Sequence, residues 1–223
     1  MMKKGWKQVW RNLLFQHFEL NDTSFLEAHL PKHCKLDSFD GKHYLGLVAM
    51  EMSDVRHRST GDKIWFKRYN ELNVRTYITL DGKPGVLFLS LDVDSLISVL
   101  GARVFYGLPY RFRKFERVDN TIKAFHKNSL YFDCDYTVDE TYKQYTKDTF
   151  AYWATERYFF VARHLGLSLI GEIFHKPWSL TTANATNHNV KVLEPYNIKE
   201  RHKDILFCDK IEVTTSKLKL IKG

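Results

Sequence analysis

Tyr69–Asp92 reads Y-N-E-L-N-V-R-T-Y-I-T-L-D-G-K-P-G-V-L-F-L-S-L-D, and its first half decides the fold. Side chains two residues apart on a strand point the same way, so Glu71, Asn73, Arg75 and Tyr77 share one face. Leu72, Val74 and Ile78 share the other and can pack a core, so the polar row must be solvated, ion-paired or turned into a cavity. D-G-K-P-G is a reversal between two β-rich runs, predicting antiparallel strands over Arg68–Leu80 and Val86–Leu91.

Working outward, Trp6, Val9, Trp10, Leu13 and Leu14 recur at helical spacing and predict an amphipathic first helix. F-D-G-K over Phe39–Lys42 supplies turn residues before a strand from His43 to Met52. Asp92 or Asp94 caps a predicted helix through Leu96, Ile97, Leu100 and Val104, which ends before Gly107 and Pro109. Reversals at Asp119-Asn120 and Asn128-Ser129 separate shorter antiparallel strands. Asp148 opens a short helical segment through Trp153, and Y-F-F-V-A-R with L-S-L-I-G-E-I-F forms a hairpin around H-L-G. The reading is an α+β fold, mainly antiparallel.

Composition sets the outer bounds. A chain of 223 residues, 44% hydrophobic and 15% aromatic, can bury a sizeable core. Cys34, Cys134 and Cys208 are odd in number and widely spaced, which fits reduced thiols in a reducing, cytoplasmic setting. The basic start is interrupted by Lys7, Gln8, Arg11 and Asn12, unlike the apolar core of a signal peptide, and no apolar run reaches membrane-helix length. The net charge of +8 is scattered. Its densest group is Arg111, Arg113, Lys114 and Arg117, of which Arg111, Arg113 and Arg117 would share one face of a strand, but no nucleic-acid module accompanies it and no nucleic-acid partner is expected. His29, His33 and Cys34 have metal-like spacing, but Pro31 disfavours the helix that would align them, so no metal or other cofactor is expected. No serine elbow, P-loop or dinucleotide fingerprint occurs.

The ordered segments E-L-N-V-R-T-Y, G-K-P-G-V, and A-R-x-x-x-x-L-P-Y ending at Tyr110 resemble the YqjF-like family, whose fold is similar to acetoacetate decarboxylase. So do Trp10–Phe18, Leu36–Gly41, W-x-T-E-R-Y (Trp153–Tyr158) and H-x-P-W (His175–Trp178). The resemblance implies one domain over residues 1–197, a partly closed, cone-like β-barrel sheet with a few flanking helices; it does not cover the tail over 198–223, which is read as a basic extension open to packing on the same domain. It also implies that Glu71 matches a carboxylate lining the decarboxylase cavity. The decarboxylases carry a lysine pair after the equivalent of Pro109. Here Tyr110 and Arg111 stand there, and neither can form an imine.

The expected site therefore comprises Glu71 and Tyr110 as acid-base groups, with Arg75, Tyr77, Arg103, Arg111 and His17 as ligand contacts. An arginine in a low-dielectric cavity binds a carboxylate bidentately, and a nearby glutamate can accept a proton. The expected ligand is a small polar or anionic molecule bearing a carboxylate or carbonyl. Any enzyme built this way would resemble a lyase or hydrolase without a Schiff-base lysine. The alternative is a non-catalytic interaction or oligomerisation protein in which Glu71 and Arg75 or Arg103 form a structural network. Homo-oligomerisation is compatible with either reading.

Overall fold

The structure is a computed structural model and describes residues 5–28, 30–61, 63–96, 98–99, 108, 110–164 and 167–221. In chain order the strands are β1 (Gly5–Leu20), β2 (Cys34–Leu36), β3 (Tyr44–His57), β4 (Ile64–Leu80), β5 (Lys83–Val93), β6 (Tyr110–Phe112), β7 (Lys114–Val118) and β8 (Thr121–His126). They continue as β9 (Ser129–Val138), β10 (Phe159–His164), β11 (Leu167–Phe174), β12 (Thr181–Asn189), β13 (Ile198–Arg201), β14 (Leu206–Ser216) and β15 (Lys219–Leu220). Among the described residues, two named short α-helices interrupt them, α1 (Ser24–Glu27) and α2 (Phe150–Thr155).

Strand pairing runs β1-β3-β4-β5-β10-β11-β14 and returns from β14 to β1, closing a seven-membered ring. Its seams are unequal. β1 meets β3 over most of its length, whereas β5 meets β10 only through Phe160↔Val86 and Val161↔Leu87, and β11 meets β14 only through Ile173↔Thr215 and Phe174↔Thr214. Long pairings on one side and short ones on the other splay the ring into a cone, and a closed sheet of this kind leaves room inside. Outside it, β12, β9, β8 and β7 form a further layer joined to β14 through Thr181 and Thr182.

The central hairpin forms as the sequence predicts. Asp81 (φ 50°) and Gly82 (φ 76°) are the two turn residues between Leu80 and Lys83, the left-handed pair a two-residue hairpin requires. Alternation on β4 holds: Leu72, Val74 and Ile78 are fully buried on the outer side, where Leu72 and Val74 join Ile122, Phe132 and Phe207 in a core. Each such side chain stabilises the fold by about 1.5–3 kcal/mol. Glu71, Asn73 and Arg75 face the interior of the ring.

The expected first helix is instead strand β1. Its register against β3 slips between Lys7 and Val9 and again between Arg11 and Leu14, with Asn12 at φ 49°. Trp6, Gln8 and Trp10 face the interior before the second bulge, Leu13 and Phe15 after it. A bulge shifts the period-two pattern by one, so 6, 10 and 13 acquire the spacing of a helix.

Two helix caps also differ from expectation. Leu96, Ser98 and Val99 are helical, but Ser95 Oγ accepts the Ser98 N–H at 3.2 Å. Asp92 lies in β5, and the Asp94 carboxylate accepts from the N–H and Nδ2 of Asn70. Most of the expected course of that helix, with Gly107, Pro109 and Arg103, lies outside the described residues. Thr149 rather than Asp148 caps α2, its Oγ accepting the Tyr152 N–H.

The run R-F-R-K-F-E-R-V is not one basic strand. It breaks at Arg113 between β6 and β7; Arg113 turns inward towards Asp92 and the Tyr131 ring, and Arg117 donates to Asn70. From residue 198 onward the chain supplies β13 to β15, and β14, paired with β1 from Gly5↔Ser216 to Phe15↔Leu206, closes the ring. Among the described residues no helix is long and apolar enough to cross a membrane.

Candidate functional site

The interior of the ring is a cavity of about 850 Å³. Most of its wall is apolar and aromatic, with Leu13, Phe15, Met50, Met52, Phe88 and Leu91 among the contributors. Against this background stands a compact polar group. Glu71, Asn73 and Arg75 come from β4 by alternation, and Tyr110 arrives on β6, which runs parallel to β5 with Tyr110 opposite Leu91.

Glu71 is 3% exposed. Its carboxylate accepts from Asn73 Nδ2 on one oxygen and from the Tyr110 hydroxyl on the other, both at 3.2 Å. Burial pushes its pKa up to about 7, and the two hydrogen bonds and the Arg75 charge only partly oppose that rise. Burial also holds Tyr110 well above the usual phenol range, so it remains a proton donor to Glu71. A carboxyl group that exchanges its proton near neutrality inside a cavity is equipped for acid-base work.

Arg75 is placed differently. It shares the face with Glu71, but four residues on a strand separate their Cα atoms by about 13 Å, and no ion pair joins the two side chains. The guanidinium lies 5.6 Å from the Phe15 ring and 5.8 Å from the Tyr77 ring. Nη2 donates a long hydrogen bond to the Ala154 carbonyl at 3.4 Å, a hydrogen-bonding contact with the Tyr77 hydroxyl partly opposes the burial-driven rise of that phenol's pKa, and Nε itself has no partner that meets hydrogen-bond geometry. Opposite it on β3 is Gly46, where a Cβ would come within 2.6 Å of the Tyr77 hydroxyl and 3.2 Å of Arg75 Nε. The missing side chain lets Arg75 and Tyr77 lie against the strand.

Arg157, the second arginine of the wall, is committed to structure. It is 4% exposed, its Nη1 meets Asp37 Oδ2 at 2.5 Å, and its Nε donates to the Trp153 carbonyl at 2.6 Å. Its guanidinium stacks over the rings of Tyr77 and Trp153. Trp178, from the H-x-P-W segment, donates Nε1 to the Thr155 carbonyl and its backbone N–H to Glu156. These contacts fasten α2 across one end of the ring beside Arg75.

Of the residues singled out in the sequence, the structure brings Glu71, Arg75 and Tyr110 to one cavity. Tyr77 and His17 share its face of the sheet but lie behind the wall, where Tyr77 packs on Trp153 at 4.6 Å and His17 on Phe150 at 5.1 Å. Burial lowers the His17 pKa, with the Arg75 charge adding to the effect, so the ring is neutral. Arg111 alternates outward from Tyr110 and is exposed. Arg103 lies outside the described residues. Sequence reasoning missed Asn73 as the partner of Glu71, although alternation placed it there, and missed Arg157 and Trp178, whose only signal was membership of the W-x-T-E-R-Y and H-x-P-W segments.

A cone-shaped ring of this connectivity around a cavity is an acetoacetate decarboxylase-like fold. The chain superimposes on acetoacetate decarboxylase from Legionella pneumophila with a TM-score of 0.69 at 13% identity, covering 100% of this chain and 90% of that one. Against the enduracididine biosynthesis enzyme MppR complexed with pyruvate the TM-score is also 0.69, at 10% identity, covering 100% and 92%.

Residues 7–212 match the family DUF2071, described as an uncharacterized conserved protein, and the chain belongs to that family. It is 32% identical over 185 residues to the uncharacterized protein YqjF of Bacillus subtilis, across 80% of this chain and 76% of that one.

Proposed function

We propose that this protein binds a small carboxylate- or carbonyl-bearing molecule inside the ring, with Arg75 holding the anionic group and Glu71 and Tyr110 exchanging a proton with it. The observation that carries the reading is the Arg75 guanidinium, which lines the cavity with an unpartnered Nε and no carboxylate partner among the described residues. A carboxylate would supply the two parallel acceptors its fork lacks. The structural neighbour MppR, complexed with pyruvate, is consistent with a carboxylate in this fold. The open cavity favours a ligand over the alternative of a purely structural network, because that network would join Glu71 to Arg75 and fill the space. Three buried, unpaired thiols fit a cytoplasmic setting.

Arg75→Ala should weaken binding of a carboxylate found by thermal-shift screening roughly 30-fold or more, the loss expected for a charged hydrogen-bonding group, while leaving the unliganded melting temperature within a few degrees. Unchanged binding in the variant would refute the assignment.

The proposed chemistry uses no imine. By the sequence resemblance Tyr110 and Arg111 stand where the decarboxylases carry their lysine pair, and the one lysine on the described wall, Lys217, has its side chain exposed. Borohydride reduction in the presence of acetoacetate should leave the mass of the protein unchanged. An adduct mapped to Lys114 or Lys217 would revive Schiff-base chemistry.

A further inference from the structure

The polar group occupies only a small part of the cavity. Trp6 and Phe15 stand nine positions apart on β1, about 25–30 Å of strand, and both line the same space. Between them runs a largely aromatic wall, with Gln8 on the same face of β1. Phe15, beneath the Arg75 guanidinium, packs edge-on against Trp178 at 5.3 Å, and Trp178 stacks with Trp10 at 6.3 Å. Beyond Trp10 the wall passes Met52 and Val55 to Trp6, which meets Trp65 at 6.2 Å. Trp65 is 51% exposed and also lines the cavity, so this end is its mouth.

A two- to four-carbon acid held at Arg75 would leave most of that wall against water. At about 30 Å³ per heavy atom, the share of a water molecule in the liquid, 850 Å³ corresponds to on the order of 28 atoms. Resting on the reading of Arg75 as the carboxylate site, we infer that the ligand is amphipathic: a carboxylate at Arg75 carrying an apolar body of roughly ten or more carbons along Phe15, Trp10 and Met52 towards Trp65. Charge at one end and a mainly apolar wall leading away from it, interrupted on β1 by Gln8, fix the orientation. Glu71 and Tyr110, on the stretch of wall before Arg75, then face the body of the ligand, where proton exchange requires a carbonyl or hydroxyl group at that point of the chain.

Calorimetric titration with dodecanoate, butanoate and dodecanol tests this on wild-type protein, Arg75→Ala and Trp65→Ala. Each buried methylene strengthens binding roughly three- to fourfold, so dodecanoate should bind wild type at least about 100-fold more tightly than butanoate even if only part of the chain is covered. Trp65→Ala, at an exposed position, should weaken dodecanoate several-fold and leave butanoate unchanged. Equal affinities for dodecanoate and butanoate would overturn the amphipathic ligand while leaving the carboxylate site standing. If dodecanol binds as tightly as dodecanoate, or Arg75→Ala binds dodecanoate unchanged, the carboxylate site itself fails and the orientation inferred from it falls too.

Discussion

Replacing Arg157 by alanine should destabilise the protein by about 3–5 kcal/mol, the range for removing one member of a buried ion pair. The side chain is 4% exposed and joins three parts of the chain: Asp37 after β2, the Trp153 carbonyl of α2, and the Tyr77 ring on β4. The variant leaves Asp37 without its cation, the last turn of α2 without its donor and two aromatic rings without their stacking partner. Arg157→Lys should recover only part of the loss, because an ammonium cannot bond the carboxylate and the carbonyl in the same fork while stacking on the rings. Urea denaturation measures both, and Arg75→Ala is the internal comparison. Arg75 has one long hydrogen bond to a carbonyl, a contact with the Tyr77 hydroxyl and no acid partner, so its removal should cost about 1 kcal/mol. Equal losses at the two arginines would mean that Arg75 is structural.

Glu71→Gln should stabilise the protein above neutral pH by about 3 kcal/mol and flatten its pH dependence. The wild-type carboxyl titrates near 4.5 unfolded and near 7 folded, raised chiefly by burial. Between those values the folded state holds a proton that the unfolded state has released, so stability falls as pH rises from about 4.5 to 7. Below that window the contribution is fully present; above it, it is lost. The shift corresponds to about 3 kcal/mol. A glutamine keeps its carbonyl for Asn73 and can donate to the Tyr110 oxygen, while no longer paying for a buried charge. Asp92, pushed up to about 6 by burial, adds a slope of the same sign, so the difference between variant and wild type isolates Glu71. Denaturation curves from pH 5 to 8.5 should converge at the acid end and separate at the alkaline end; parallel curves would show that Glu71 does not titrate there.

The parts of the fold legible in the sequence are those fixed by neighbours along the chain. Asp81-Gly82 announces its own hairpin because both residues tolerate positive φ, and the period-two pattern of β4 sorts Glu71 and Arg75 from Leu72 and Val74 without any tertiary information. β1 was not legible because a bulge beside Asn12 shifts its alternation into the spacing of a helix. Ring closure was hidden for a different reason: β14 lies in a tail that resembles an extension, and its pairing with β1 spans nearly the whole chain. The same distance hid the clamp, since Asp37 and Arg157 are 120 residues apart and each alone reads as an ordinary surface charge. In the basic run, Arg113 and Arg117 read as sharing one strand face with Arg111 because nothing local reveals the buried Asp92 or the Asn70 side chain that draw them inward.

The central claim is that Arg75 receives a carboxylate, and side-chain nitrogen NMR of the arginine Nε–H groups tests it most directly. A titration with dodecanoate should move one Nε–H resonance downfield, the one missing from the spectrum of Arg75→Ala, as the unpartnered Nε gains a charge-assisted hydrogen bond. If the ligand binds while that resonance stays in place and another arginine responds, the carboxylate sits elsewhere and the account is wrong.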